Sequence, residues 1–232
     1  ILAGVLVVAA VILLRFLLLT RKQKKAIDIA NEHNTLKTQF IQNISAQMEP
    51  TLATLDDRQP GVQALRGFAQ HIQELSDLEQ SLSEPYEMQE QNVCTFCEGV
   101  MDKIQQTHKK DLTLTVNAPK LGIKICPEQL ERILLHLLEN AVVHTPEGGK
   151  ITLDFKKRGA HTHQFIVTDT GCGIPEEQRG NLFKPFSEIK DLTQGDGLGL
   201  PICALIAIRM NGNLTLDESY TKGARFVLEL HA

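Results

Sequence analysis

Apolar and polar positions alternate along this chain in patterns that change twice. Residues 1–20 are almost wholly apolar, with Arg15 the only charge, and Arg21-Lys22-Gln23-Lys24-Lys25 follows at once. A run of that length beside a basic cluster predicts one transmembrane helix in the inner (cytoplasmic) membrane, with everything after Arg21 cytoplasmic. Arg15 lies close enough to the basic cluster to snorkel to the headgroups. A cleaved signal peptide fits less well, because no basic segment precedes the run and no small-residue cleavage site follows it. From Lys22 the spacing becomes helical: Ile29, Leu36, Phe40, Ile44, Met48, Leu52 and Leu55 form one stripe. After Asp56–Gly61 a second stripe follows at Val62, Leu65, Phe68, Ile72, Leu75, Leu78 and Leu82. Two amphipathic helices and a short turn predict an antiparallel hairpin. One hairpin cannot bury both stripes, so a homodimer with a four-helix bundle is expected, the alternative being packing on the neighbouring domain.

Beyond Pro85 the patterning alternates between helix and strand. Helices are predicted near 93–106, over 127–144 and from Leu198 to Met210; strands at 112–116, 123–126, 151–155, 164–168, 214–216 and 224–230. Pro127 sits at a helix start, where its missing N–H costs nothing. The polar run to Asn92 reads only as the end of the hairpin. The expected fold is α+β: a transmembrane helix at 1–20, a helical hairpin at 21–84, and an α/β sandwich at 85–232 with helices on one face.

Composition narrows the function. The chain has 232 residues, begins at Ile1 without an initiating Met, and so reads as a piece of something longer. A net charge of −4, with no basic patch beyond the membrane-proximal cluster, argues against nucleic acid as a partner. The five cysteines are irregularly spaced; Cys94 and Cys97 have no second pair and read as buried reduced thiols on one helix face. His161 and His163 flank Thr162 and read as exposed residues of a hairpin loop.

Chemistry concentrates between Asp169 and Leu200. The strand-like run before Asp169 delivers a carboxylate to a strand end, where Gly171 and Gly173 let the backbone bend tightly. Gly195-Asp196-Gly197-Leu198-Gly199 leads into an apolar helix, whose free N–H groups and positive end suit phosphate oxygens. On the preceding helix, Glu139 and Asn140 place polar groups beside the small Ala141; an Asn beside an acid suits magnesium, which prefers oxygen ligands.

Leu138-Glu139-Asn140-Ala141-Val142-Val143-His144-Thr145-Pro146, then Asp169 to Pro175, then Phe183 to Phe186, then Gly195 to Leu200 resemble the N, first glycine, F and second glycine boxes of the sensor histidine kinases. The resemblance implies an ATP-binding domain of the Bergerat type. It implies that Asn140 coordinates magnesium with Glu139 beside it and that Asp169 accepts the adenine amino group. Gly171 and Gly173 would let the base approach, Gly195, Gly197, Leu198 and Gly199 would wrap the phosphates, and Phe183 and Phe186 would clamp a lid. It further implies ATP and Mg2+ as cofactors and a response regulator receiver domain as partner. Type II topoisomerases, mismatch-repair ATPases and heat-shock chaperones share this fold; a membrane helix and a helical hairpin favour the kinases.

The departures bear on activity. In the stretch Phe40 to Pro50, Ala46 occupies the place of the family's phosphate-accepting histidine, about 200° around the helix from Ile44 and therefore facing outward. Alanine offers no nucleophile. Val143 stands where a phosphate-contacting Lys is usual, His136 where a second Asn is common, and Asp196 where a small hydroxyl residue is. Lys184, Lys190 and His144 are candidate replacement cations, although a solvated surface role fits each better; His33 and His71 are candidate acceptors, though no acid follows either one. Two readings result: a kinase that moves the γ-phosphoryl group of ATP to a histidine and then to a response regulator, or a degenerate kinase that binds nucleotide and signals by shape or by pairing with an active partner.

Overall fold

The computed structural model describes residues 60–81, 86–159, 161–185 and 197–231. The expected membrane helix at 1–20, the first hairpin helix, Ala46, His33, Phe186, Lys190, Gly195 and Asp196 lie outside them. Helix α1 spans Pro60–Gln80. Strand β1 (Gln89–Asn92) leads into α2 (Val93–Thr107), followed by β2 (Thr113–Asn117) and β3 (Gly122–Ile125). Helix α3 (Pro127–His144) precedes β4 (Lys150–Lys157) and β5 (Thr162–Asp169). A short α4 (Glu176–Arg179), α5 (Gly199–Arg209), β6 (Gly212–Leu216) and β7 (Arg225–His231) complete the order.

The main sheet has five strands in the order β2-β4-β5-β7-β6. Its β2–β4 pair is parallel and the others antiparallel. Register sets which face is apolar. Ile151, Leu153 and Phe155 lie opposite Asp169, Val167 and Phe165, and the last two lie opposite Phe226 and Leu228. Because strand side chains alternate between faces, these residues share one face; all are buried. Asp169 therefore stands at the end of the apolar face.

Helix α3 is the main element packed on that sheet. Pro127 stands at its start, Glu128 lies in its first turn and His144 in its last. Leu130, Ile133, Leu134, Leu137 and Leu138 are fully buried, each contributing roughly 1.5–3 kcal/mol relative to an exposed side chain. Helix formation stops at Thr145, because a residue ahead of proline is pushed toward extended backbone. Helix α2 is capped by Asn92, whose side chain accepts from the Thr95 N–H at 3.2 Å.

Three expectations change. His163 is not an exposed loop residue: it lies in β5, 5 % exposed, its ring 5.7 Å from that of Phe155. Its position follows from strand parity, since 163, 165 and 167 share a face. The polar run before α2 is not merely a terminator, because Gln89–Asn92 pairs with Gly122–Ile125 as a separate two-stranded ribbon. Third, the inner-membrane location is corrected: among the described residues no helix is long and apolar enough to cross a membrane. The two helices of sufficient length are amphipathic, α1 carrying Arg66, Glu74, Asp77 and Glu79 and α3 carrying Glu128, Glu131, Arg132 and Glu139.

The α1 stripe is buried at Val62, Ile72, Leu75 and Leu78, and α1 packs against α5. Glu74 is ion-paired with Arg132 of α3. Arg209, at the end of α5, donates to Ser81 Oγ at 2.9 Å and stacks over the Tyr86 ring at 4.1 Å. Packing on the neighbouring domain thus accounts for part of this stripe.

Candidate functional site

The Asp169 carboxylate, 4 % exposed, is held by backbone alone. Its Oδ1 accepts from the Gly171 N–H at 2.8 Å and from the Ala224 N–H at 3.0 Å. Both bonds fall on Oδ1, so Oδ2 is turned away from them. The main chain of Asp169 is fixed as well: its N–H donates to Ala224 O at 3.0 Å, and its carbonyl accepts from the Tyr220 hydroxyl at 3.1 Å. The next residue, Thr170, bridges back to the start of β4, its Oγ1 accepting from the Lys150 N–H at 2.9 Å.

Close approach explains the glycines here. A Cβ on Gly171 would lie 2.4 Å from His144 O, at the C-terminal end of α3, and one on Gly223 would lie 2.2 Å from Asp169 O. Gly173 has φ +71° and faces Gly223 O. The carboxylate therefore lies in a cradle made by three chain segments, 169–173, 144–145 and 220–224.

A second junction forms further back on α3. A Cβ on Gly199 would lie 2.0 Å from His136 Cε1, so the start of α5 rests on the His136 ring. Gly197 adopts φ +69°, and Leu198 is fully buried ahead of the helix without a side-chain cap bond. The first N–H groups of such a helix have no intrahelical partner. His136 and His144 are separated by about 12 Å along the helix axis, with Asn140 midway. Asn140 is half-buried and Glu139 exposed. Phe183 packs edge-on against Phe226 at 6.4 Å.

The predicted residues thus fall into an acidic cradle with Asp169, Gly171 and Gly173, and a helix start with Gly197, Leu198 and Gly199. Asn140 lies on the helix that touches both. Val143 and the candidate cation Lys184 both lie at the surface. Val143 is 66 % exposed, and Lys184 donates to Asn181 Oδ1 at 3.0 Å. Lys110, which sequence reading passed over, donates to Val142 O at 2.9 Å and Val143 O at 3.4 Å and caps α3. Sequence reading also missed the 217–224 segment, whose one signal is Gly223 beside Ala224 ahead of a strand. There Arg225 stacks on Tyr220 at 4.1 Å and pairs with Asp217 at 3.3 Å. Hydrogen bonding from Ser219 holds the Asp217 carboxyl below its ordinary range.

Among the described residues no group of three or more His, Cys, Asp or Glu side chains is placed to hold a metal ion. An amide oxygen such as that of Asn140 fits magnesium, which takes most of its ligands from water and phosphates rather than from a protein cage.

Comparison with known proteins places this geometry. Residues 126–232 match the family model described as "Histidine kinase-, DNA gyrase B-, and HSP90-like ATPase". The catalytic domain of histidine kinase ThkA superposes with a TM-score of 0.55 at 26% identity, over 63% of this chain and 96% of that one. Residues 126–232 are an ATPase domain of the histidine kinase type. Among relatives of the ATPase domain, the adaptive-response sensory kinase SasA of Rippkaea orientalis is 33% identical over 56% of this chain and 35% of its own length. The alginate biosynthesis sensor protein KinB of Pseudomonas aeruginosa is 38% identical over 44% of this chain and 17% of its own. The chain thus spans about a third or less of these two relatives. The enzymes it resembles are ATP-dependent protein-histidine kinases.

Proposed function

We propose that this chain is the nucleotide-binding part of a two-component histidine kinase, with Mg-ATP lying along α3 between the Asp169 cradle and the start of α5. The observation that carries the reading is the cradle: a buried carboxylate with both backbone bonds on Oδ1, lined by glycines whose Cβ atoms would strike backbone. Its second oxygen, Oδ2, turned away from those bonds, suits the exocyclic amino group of adenine as an acceptor. The positive N-terminal end of α5 suits phosphate oxygens, and Asn140 suits the magnesium that bridges them. That ion would supply charge neutralisation on the phosphates. Glu139 stands beside Asn140, and Phe183 and Phe186 would clamp the lid over the nucleotide. In such transfers the protein contributes mainly position and electrostatics.

The transfer itself would carry the γ-phosphoryl group to a histidine and onward to a response regulator, the chain acting as a homodimer through its hairpin region, 21–84. Ala46 supports a second reading, a degenerate kinase, since no nucleophile stands in the usual acceptor place. Incubating the full chain with γ-labelled ATP and magnesium separates the two. Acid-labile phosphate on the protein supports transfer, with mapping to His33, His71 or another residue naming the acceptor. Nucleotide binding without label supports the degenerate kinase, and absence of nucleotide binding refutes both.

A further inference from the structure

The segment between β6 and β7 is tied more tightly than a connecting loop requires. Tyr220 donates its hydroxyl to the Asp169 carbonyl at 3.1 Å, and its ring carries the Arg225 guanidinium at 4.1 Å. Arg225 is pinned on two further sides, to Thr168 Oγ1 at 3.2 Å and to Asp217 Oδ2 at 3.3 Å. Asp217 is fixed in turn by the Ser219 hydroxyl and N–H at 2.5 and 3.1 Å. A planar guanidinium stacked on a ring and held by two acceptors has little freedom left. The network ends at the Gly223–Ala224 peptide, where Gly223 abuts Asp169 O and the Ala224 N–H is one of the two donors to Oδ1.

We propose that Tyr220, locked by Arg225, is a positioning residue that aims the Asp169 carboxylate and so sets selectivity for a 6-amino purine over a 6-oxo purine. The inference rests on the nucleotide reading above. Tyr220 reaches only the backbone of Asp169, so it acts on where Oδ2 points and not on the ligand. A 6-oxo base presents an acceptor where adenine presents a donor, and discrimination between them depends on the direction of that one oxygen.

The test uses the full chain, with ATP and ITP affinities measured by calorimetry in magnesium. Wild type is expected to prefer ATP. Tyr220→Phe keeps the ring and the Arg225 stack but removes the hydroxyl; a mis-aimed carboxylate forfeits much of its one hydrogen bond to the 6-amino group, which is expected to weaken ATP by about three- to tenfold. ITP affinity is expected to change less, so the ATP/ITP ratio narrows. Arg225→Met, which frees the ring, should narrow the ratio in the same direction and provides the test if Tyr220→Phe fails to fold. A merely structural role would lower the melting temperature and weaken both nucleotides equally; an unchanged ratio overturns the proposal. Asp169→Asn run beside them separates the two failures. If it leaves ATP affinity intact, the site reading falls; if it weakens ATP about tenfold or more while Tyr220→Phe changes nothing, only the positioning role falls.

Discussion

Replacing Asp169 by asparagine and by alanine separates what this side chain does for the fold from what it does for a ligand. Both backbone donors meet Oδ1, so an asparagine keeps its carbonyl oxygen there and its NH2 falls on the Oδ2 side. The two bonds change from charge-assisted to neutral, a loss of about 1 kcal/mol each. Alanine leaves the Ala224 N–H buried and unpaired and the Gly171 N–H half-solvated, a cost of roughly 2–4 kcal/mol. Against a typical total of about 5–15 kcal/mol, asparagine costs about 2 kcal/mol and leaves the fold intact, while alanine costs up to about twice that. For the ligand the order reverses in kind: asparagine presents a donor to the adenine amino group. Loss of one hydrogen bond to a charged acceptor, about 1.5–3 kcal/mol, weakens ATP by roughly ten- to a hundredfold before any donor–donor repulsion. Denaturant melts and calorimetric titration of the full chain with ATP and magnesium read both quantities. An Asn variant that binds ATP as wild type does would refute the adenine assignment.

Three further outcomes are expected. Gly199→Ala drives a Cβ to within 2.2 Å of two His136 ring atoms and should destabilise by about 1–3 kcal/mol; in a His136→Ala background much of that loss should vanish, and an equal loss in both backgrounds sinks the packing argument. His163 has its pKa lowered by burial first and then by Lys157 and His161. Above about pH 6.5 neither state is protonated; below it the unfolded chain takes up the proton first, so stability falls as pH drops toward the lowered folded value. His163→Phe keeps a ring against Phe155 and should flatten that part of the pH profile in denaturant melts, whereas an unchanged slope would show that other groups produce it. Burial pushes the Cys97 and Cys203 thiols up to about 12, while Cys172 is exposed; a thiol reagent at pH 8 should modify Cys172 quickly and leave the other two protected until unfolding, as peptide mapping would show.

The parts of this fold legible in the sequence are those whose signal lies in side chains. Helix α3 declared itself through its apolar stripe, Pro127 at its start and Thr145-Pro146 at its end, and it runs over the expected residues. Asp169 was legible because an apolar strand led to a lone acid and then to glycines. Strand β1 was not, because Gln89–Asn92 is nearly all exposed and is held by backbone pairing. The 217–224 segment escaped for the same reason: it reaches Asp169 through peptide groups and one tyrosine hydroxyl. His163 was misread on local composition, although its alternation with Phe165 and Val167 placed it on the buried face. Lys110 acts on helix-end carbonyls more than thirty residues away, a contact that no local pattern encodes.

The β1–β3 ribbon bears on where this ATPase domain can be cut. Val93 opens α2 and is the natural place to begin a shortened chain, yet its N–H donates to Leu121 O and continues the ribbon's pairing. Removing residues up to Asn92 would strip the cap from α2 and uncover the edge of β3, where Ile123 and Ile125 are buried. An uncovered strand edge next to apolar side chains invites pairing between molecules. Shortened forms beginning at or before Met88 should therefore stay monodisperse under conditions in which forms beginning at Val93 self-associate, and the practical limit of the domain lies upstream of its first predicted helix.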